Sequence, residues 1–266
     1  MAKFRTEPAL RVGLITSVPA IRFELFGTYA TPDGMSFPEG AYRAQWESAC
    51  VRLEGPASII TECLVLKPAN AGSRFTVHDV TIGIDFHWQQ QESQTFEGAL
   101  QIAAGTNGLS LINELAIESY LASVISSEMS ASCPPELLRA HAVVSRSWLL
   151  AQLTGASGPS MPEQSTSSPS EIIRWYGREA HDSFDVCSDD HCQRYQGIGK
   201  AFSASASDSV AATRGRALVS GGEICDTRYS KCCGGMTEVF STAWDDRELP
   251  YLVSVYDGAG NPPAPL

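Results

Sequence analysis

Two groups of residues in this chain have the types and spacing for chemistry. The first centres on one carboxylate, Glu128, closing the run Tyr120-Leu121-Ala122-Ser123-Val124-Ile125-Ser126-Ser127-Glu128. Tyr120, Leu121, Val124 and Ile125 have the spacing of one helical face, and one more turn along that stripe reaches Glu128. A carboxyl group in line with an apolar face is partly desolvated, which disfavours its charged form. That is the property of a general acid near neutral pH, although an ordinary glutamate in a helix's last turn has the same spacing. The second group is His181, Cys187, His191 and Cys192, two imidazoles and two thiols within twelve residues. They can supply a tetrahedral zinc site. His191 and Cys192 are neighbours, so they can share a metal only from a loop or turn, and closure by four protein ligands would make the site structural. Reduced surface cysteines or a Cys187–Cys192 disulfide fit the same spacing.

The elements that must position these groups change period part-way along the chain. Residues 9–116 read mostly as β: Leu10–Ile15, Ile21–Phe26, Ser58–Leu66, Phe75–Phe86 and Phe96–Ile102 alternate or run apolar. Pro32-Asp33-Gly34 supplies turn chemistry, and Asn107-Gly108 predicts a hairpin turn into Leu109–Glu114. From Ile117 the period becomes helical. Cys133-Pro134-Pro135-Glu136 opens a second helix, with proline in its first turn and Glu136 favouring the dipole. There Leu137, Ala140, Val144 and Trp148 read as one face, with His141 in their midst as a core or supporting histidine. Arg146 reads as surface charge on the other side, and Thr154-Gly155 ends the helix.

Residues 154–170, rich in Gly, Ser and Pro, read as a flexible insertion loop and not a domain boundary. Residues 201–213 read as a short Ala/Ser helix, followed by a hairpin centred on Gly221-Gly222. The hairpin leads into Tyr229–Thr237, whose double glycine lets backbone approach a ligand closely. The expected fold class is α+β, a mostly antiparallel β-sheet with a pair of packed helices carrying Glu128 and a cleft between helices and sheet.

Composition narrows the function. The net charge of −11, with no cluster of Lys and Arg, argues against a general nucleic-acid binder. Apolar residues at 43% and charged ones at 18% fit a globular protein. No apolar run approaches the roughly 18–20 residues that cross a bilayer, and no signal peptide is read at the N-terminus. Eight cysteines are few for a disulfide scaffold of this length, and their grouping beside histidines favours metal.

In order and rough spacing, these motifs resemble the stage II sporulation protein D family, which includes the amidase-enhancer proteins. Tyr120–Met129 and Pro135–Trp148 resemble its first signature. Cys187–Gly197 resembles its middle element, a cysteine, acidic residues and His-Cys-Gln-x-Tyr-x-Gly. Tyr229-Ser230, Cys233-Gly234-Gly235-x-Thr237-Glu238 and Trp244 resemble its closing motif. The expected organisation is a β-rich part over 1–109, a catalytic region over 110–256 and a loose tail over 257–266.

The resemblance implies a lytic transglycosylase acting on the glycan of bacterial peptidoglycan. Such enzymes cleave between N-acetylmuramic acid and N-acetylglucosamine without water. One carboxyl group protonates the leaving oxygen, then serves as base while the muramic C6 hydroxyl closes onto C1 to give a 1,6-anhydro product. That carboxyl maps onto Glu128. The resemblance also assigns Arg146 to the catalytic set and Gln193, Tyr195, Tyr229 and Ser230 to substrate binding. Some members hold zinc through two Cys and two His in this segment, which maps onto His181, Cys187, His191 and Cys192. The implied partners are glycan strands and a cell-wall amidase or other wall hydrolase, with action in the cell envelope or periplasm. Two other readings are a non-catalytic glycan-binding module that stimulates an amidase, and a zinc or thiol sensor. The chain departs from the family pattern with His141 for the usual Gln, Cys133 for Trp, and Lys231-Cys232 for small hydroxyl residues.

Overall fold

A computed structural model describes residues 6–84, 87–130, 132–155, 164–170, 172–175, 181–199, 204–244 and 247–260. The chain forms two compact units, one of Thr6–Ala142 with His181–Arg214 and one that includes Val143–Ala180 and Gly215–Leu266. The fold is mixed α and β, with mostly antiparallel sheets and few helices.

Twelve strands open the larger unit. They are β1 (Ala9–Val18), β2 (Ala20–Phe26), β3 (Tyr29–Ala30), β4 (Ser36–Phe37), β5 (Gly40–Glu47) and β6 (Cys50–Glu54). Then come β7 (Ile59–Thr61), β8 (Cys63–Pro68), β9 (Arg74–Ile82), β10 (Gln90–Glu97), β11 (Ala99–Gly105) and β12 (Gly108–Ala116). Helices α1 (Ile117–Glu128) and α2 (Pro135–Thr154) follow. After β13 (Gln164–Ser167) and β14 (Ile172–Trp175) in the smaller unit, the chain returns with β15 (Val186–Cys187) and α3 (Ala204–Ala212).

One sheet has the order β15-β1-β12-β11-β8-β3-β4 and the other β10-β9-β2-β5-β6-β7. Their inward positions follow the two-residue period of a strand: Ile21, Phe23 and Leu25 are buried on β2 while Arg22 is exposed. Each such buried Leu, Ile or Phe stabilises the fold by about 1.5–3 kcal/mol. Strand β12 departs from alternation, because Leu111, Ile112 and Asn113 are all buried. It leads straight into α1, which is itself buried over most of its surface. The start of α1 has no side-chain cap from Ala116; the carboxylate of Glu7 accepts the Glu118 N–H at 3.0 Å instead. A run of rings joins sheet to helix: Phe75 to Phe96 at 5.5 Å, Phe96 to Tyr195 at 5.6 Å, and Tyr195 to Tyr120 at 5.1 Å.

Several elements differ from the sequence expectation. Within the expected short strands of Ser58–Leu66, β7 and β8 join different sheets. The hairpin before β12 turns on Thr106 and Asn107, with Gly105 paired to Gly108. On α2 the buried face is Leu138, His141, Ala142, Ser145 and Leu149, whereas Leu137 and Ala140 are exposed. The buried stripe carries polar residues, which hides it from a hydropathy pattern. Arg146, read as surface charge, is fully buried. Within the expected loop 154–170, Gln164–Ser167 forms an antiparallel pair with Ile172–Trp175, while 156–163 lie outside the described residues. Phe86 and most of the expected tail also lie outside them.

The smaller unit holds the C-terminal part of α2, the hairpin β13–β14, the hairpin β16 (Val219–Ser220)–β17 (Glu223–Ile224) and the short α4 (Phe240–Ala243). Gly221 and Gly222 connect β16 and β17 with φ of 61° and 86°, the left-handed backbone that the tight turn demands. The segment after β17 is tied to α2 by Thr227, whose hydroxyl donates to the Val144 carbonyl at 2.7 Å. Asp226, buried, receives Arg228 at 2.9 Å.

Candidate active and metal sites

Glu128 occupies the last position of α1, where Met129 turns extended and donates its N–H to the Ile125 carbonyl. The carboxyl side chain is 15% exposed, so it is shielded yet reachable. Each oxygen has its own neighbour. Oε1 accepts the backbone N–H of Arg194 at 3.1 Å. Oε2 stands 3.3 Å from Nε2 of His141, which projects from the buried face of α2.

The Arg194 amide is delivered by a segment pinned on both sides. Gln193 and Tyr195 are each 1% exposed. Gln193 Oε1 accepts the Tyr120 hydroxyl at 3.2 Å, and the Tyr195 hydroxyl donates to Asn113 Oδ1 at 2.7 Å. Burial pushes the Tyr195 phenol well above its usual value, so it remains a donor. One residue further, the Gln196 N–H donates to the Ser123 hydroxyl on α1 at 3.3 Å. Gln193 and Tyr195 were expected to face substrate; the structure turns both side chains into the core, where they brace the backbone beside Glu128. The Arg194 guanidinium makes a two-pronged bond to Asp190, at 3.0 and 2.8 Å, and lies 5.0 Å over the Trp88 ring. Asp190 holds its charge in place and raises its already high pKa.

The four metal-ligand candidates converge a few residues upstream. Nδ1 or Nε2 of His181 and His191 and Sγ of Cys187 and Cys192 all lie within 4.8 Å of one another. His181 Nε2 is 3.4 Å from Cys192 Sγ, and His191 Nδ1 is 3.6 and 3.8 Å from the sulfurs of Cys192 and Cys187. A tetrahedron with zinc–sulfur bonds of about 2.3 Å and zinc–nitrogen bonds of about 2.05 Å has edges of about 3.4–3.8 Å. The donor set therefore fits a zinc ion. No disulfide joins Cys187 to Cys192. The Cys187 thiol is pushed up to about 12, first by its hydrogen bond with Cys192 and then by burial.

The loop is fastened to the sheet. β15 pairs in parallel with β1, Val12 opposite Val186 and Gly13 opposite Cys187. Gly13 is required there, since a Cβ would sit 2.5 Å from the Phe184 ring. Phe184 in turn packs against the His181 imidazole at 4.6 Å. Sequence reasoning missed Asn113, Ser123, Trp88 and Phe184. A glycine inside strand β1 and an asparagine inside the apolar run of β12 were the available signals.

The remaining expected site residues lie in the smaller unit. Arg146 donates to the Arg216 carbonyl at 3.1 Å. Tyr229 is half-buried and Ser230 exposed, both just past β17.

The sequence model of the family described as stage II sporulation protein matches residues 105–219, which hold α1, α2 and the metal-ligand loop. Through this segment the chain is similar to that family. One relative, Stage II sporulation protein D of Bacillus subtilis (strain 168), is 24% identical over 144 residues. The match covers 54% of this chain and 39% of that protein, so the chain spans about two fifths of its relative's length. The family segment and the larger unit overlap at both groups of chemically capable residues, Glu128 with its neighbours and the four-donor cluster.

Proposed function

We propose that the chain is a peptidoglycan lytic transglycosylase with Glu128 as its acid–base residue. The observation that carries this reading is the hold on Glu128: a largely shielded carboxyl at a helix end, contacted on one oxygen by a backbone N–H and on the other by an imidazole. Such a group can give a proton to a glycosidic oxygen and take one back, with one oxygen already held by the Arg194 amide. Protonated Glu128 gives its proton to the oxygen leaving the N-acetylmuramic C1. The resulting carboxylate then accepts the proton of the C6 hydroxyl as that oxygen bonds to C1. The 1,6-anhydro ring forms, Glu128 is again protonated, and no water is consumed. One carboxyl serves both steps because the nucleophile belongs to the sugar, unlike the paired carboxylates of hydrolases.

In this proposal His181, Cys187, His191 and Cys192 hold a structural zinc ion, supported by spacings that match tetrahedral edges. When bound, the ion cross-links the loop that leads to Arg194. On the family motif alone, Tyr229 and Ser230 are proposed for glycan contacts and the fully buried Arg146 for the catalytic set. The cell envelope is the proposed place of action.

The test is Glu128→Gln assayed on purified glycan strands by mass spectrometry. The variant should stay folded and lose release of 1,6-anhydromuramyl products by at least a thousandfold, on the order expected for an acid–base group used in both steps. Undiminished turnover would sink the assignment. Binding of strands by the unaltered protein without new anhydro ends would favour an amidase-stimulating module instead.

A further inference from the structure

Glu128 ends α1, with its two carboxyl oxygens facing different neighbours. A group from the other helix stands close to Oε2. His141 Nε2 stands 3.3 Å away, and the imidazole side chain is 3% exposed. On the same helix Leu138 and Ala142 are buried as well. The contact is off the line of an ideal N–H···O bond, the loose geometry in which acid–base contacts often stand before substrate tightens them. The opposite oxygen is already engaged by the Arg194 amide. A carboxyl held at one oxygen can still swing about its Cγ–Cδ bond, whereas one held at both cannot.

We propose that His141 is the positioning residue of Glu128, donating its Nε2–H to Oε2 and fixing the plane of the carboxyl group. This rests on the reading of Glu128 as the acid–base residue. His141 touches no reacting atom; it acts through the carboxyl. The donation requires the imidazole to carry its proton on Nε2. The role is that of any N–H of the right reach, so an amide can fill it and an aliphatic chain cannot. When Glu128 has given up its proton, the same N–H stabilises the carboxylate until the C6 hydroxyl proton arrives. A hydrogen bond to a charged group contributes enough to alter a rate by roughly ten- to a hundredfold.

Two measurements test this. The first is long-range proton–nitrogen NMR of the imidazoles in the unaltered protein, with His141 assigned by the signal lost in His141→Gln. Nε2 protonated supports the proposal, and Nε2 bare overturns it. The second compares His141→Leu with His141→Gln, each first shown to be folded by its circular dichroism. His141→Leu should lower kcat by roughly ten- to a hundredfold with KM within about twofold, and His141→Gln should recover most of that loss. Equal kcat in His141→Leu and the unaltered protein would overturn the proposal, as would equal loss in both variants. The NMR result depends only on the contact. An unaltered protein that makes no anhydro product would therefore defeat the assignment of function, and the NMR measurement would still decide the role of His141.

Discussion

Removing the Tyr195 hydroxyl with Tyr195→Phe should destabilise the larger unit by about 1–3 kcal/mol, although no carbon is lost from the core. The figure follows from how Asn113 is bound. Its Nδ2 donates to the carbonyls of Glu97 and Ala99 at 2.9 and 3.0 Å, on either side of Gly98. That glycine has φ of 88°, and a Cβ there would lie 2.4 Å from the Glu114 carbonyl oxygen, so the turn has no slack. Asn113 therefore cannot flip its amide to find another donor without losing two bonds. Its Oδ1, on a fully buried residue, depends on the Tyr195 hydroxyl at 2.7 Å. The phenylalanine ring keeps the contacts to Phe96 and Tyr120, so the change isolates one desolvated acceptor. In urea the midpoint should fall with an unchanged slope, and the melting temperature should drop by about 2–4 °C for each kcal/mol. Tyr195→Leu, which also removes the ring stacking, should cost more. A Tyr195→Phe protein with the same midpoint would refute the claim that this bond is obligatory. It would equally weaken the argument that the segment carrying Arg194 is anchored through it.

Other perturbations probe the metal loop and the smaller unit. Gly13→Ala places a methyl 2.5 Å from the Phe184 ring, which must move and take His181 with it. The unaltered protein should carry zinc by elemental analysis. In the variant, chelator competition should show affinity weaker by about ten- to a hundredfold, the usual effect of disturbing a ligand's support. Zinc absent from the unaltered protein would count against the site, and equal affinity in Gly13→Ala would refute the packing argument. Asp226→Ala removes the carboxylate that Arg228 approaches at 2.9 Å and Arg247 at 4.0 Å, leaving two cations without it. The loss should be about 2–4 kcal/mol of the smaller unit's stability. Because those arginine side chains are 18% and 34% exposed, the lower half of that range is expected; an unchanged unfolding midpoint would refute it.

The parts of the fold that were legible are those where one face is apolar and the other is not. Helix α1 met that condition, and its stripe led to Glu128. Helix α2 did not, because His141, Ser145 and Arg146 are buried while Leu137 is 44% exposed. A pattern of hydropathy assigns those residues to the wrong side, and only the buried Arg146 shows why it is tolerated, donating to the Arg216 carbonyl. Strands β5 and β6 escaped notice for a related reason: in Ala41-Tyr42-Arg43-Ala44 the inward residues are a tyrosine and an alanine, a weak alternation. The four metal-ligand candidates were legible from composition alone, since thiols and imidazoles so close together are uncommon without a shared task. What could not be read was the path from that loop to Glu128, which runs through a backbone amide and leaves no trace in residue types.

Arg194 meets Glu128 through its backbone and Asp190 through its side chain. A guanidinium docked on a carboxyl strongly favours the ionised form, which would oppose proton donation. Here the side chain and the backbone of the same residue are used differently. The guanidinium is directed to Asp190 in a two-pronged bond and stacked on Trp88, while only the neutral amide N–H meets Glu128. Asp190 thus engages the guanidinium while the Arg194 backbone meets the carboxyl. An aspartate two residues before Cys192 is also within the loop that the zinc ion would fasten. Orientation of Glu128 and restraint of the neighbouring positive charge consequently depend on the same few residues, 190–194, and on the sheet edge that holds them.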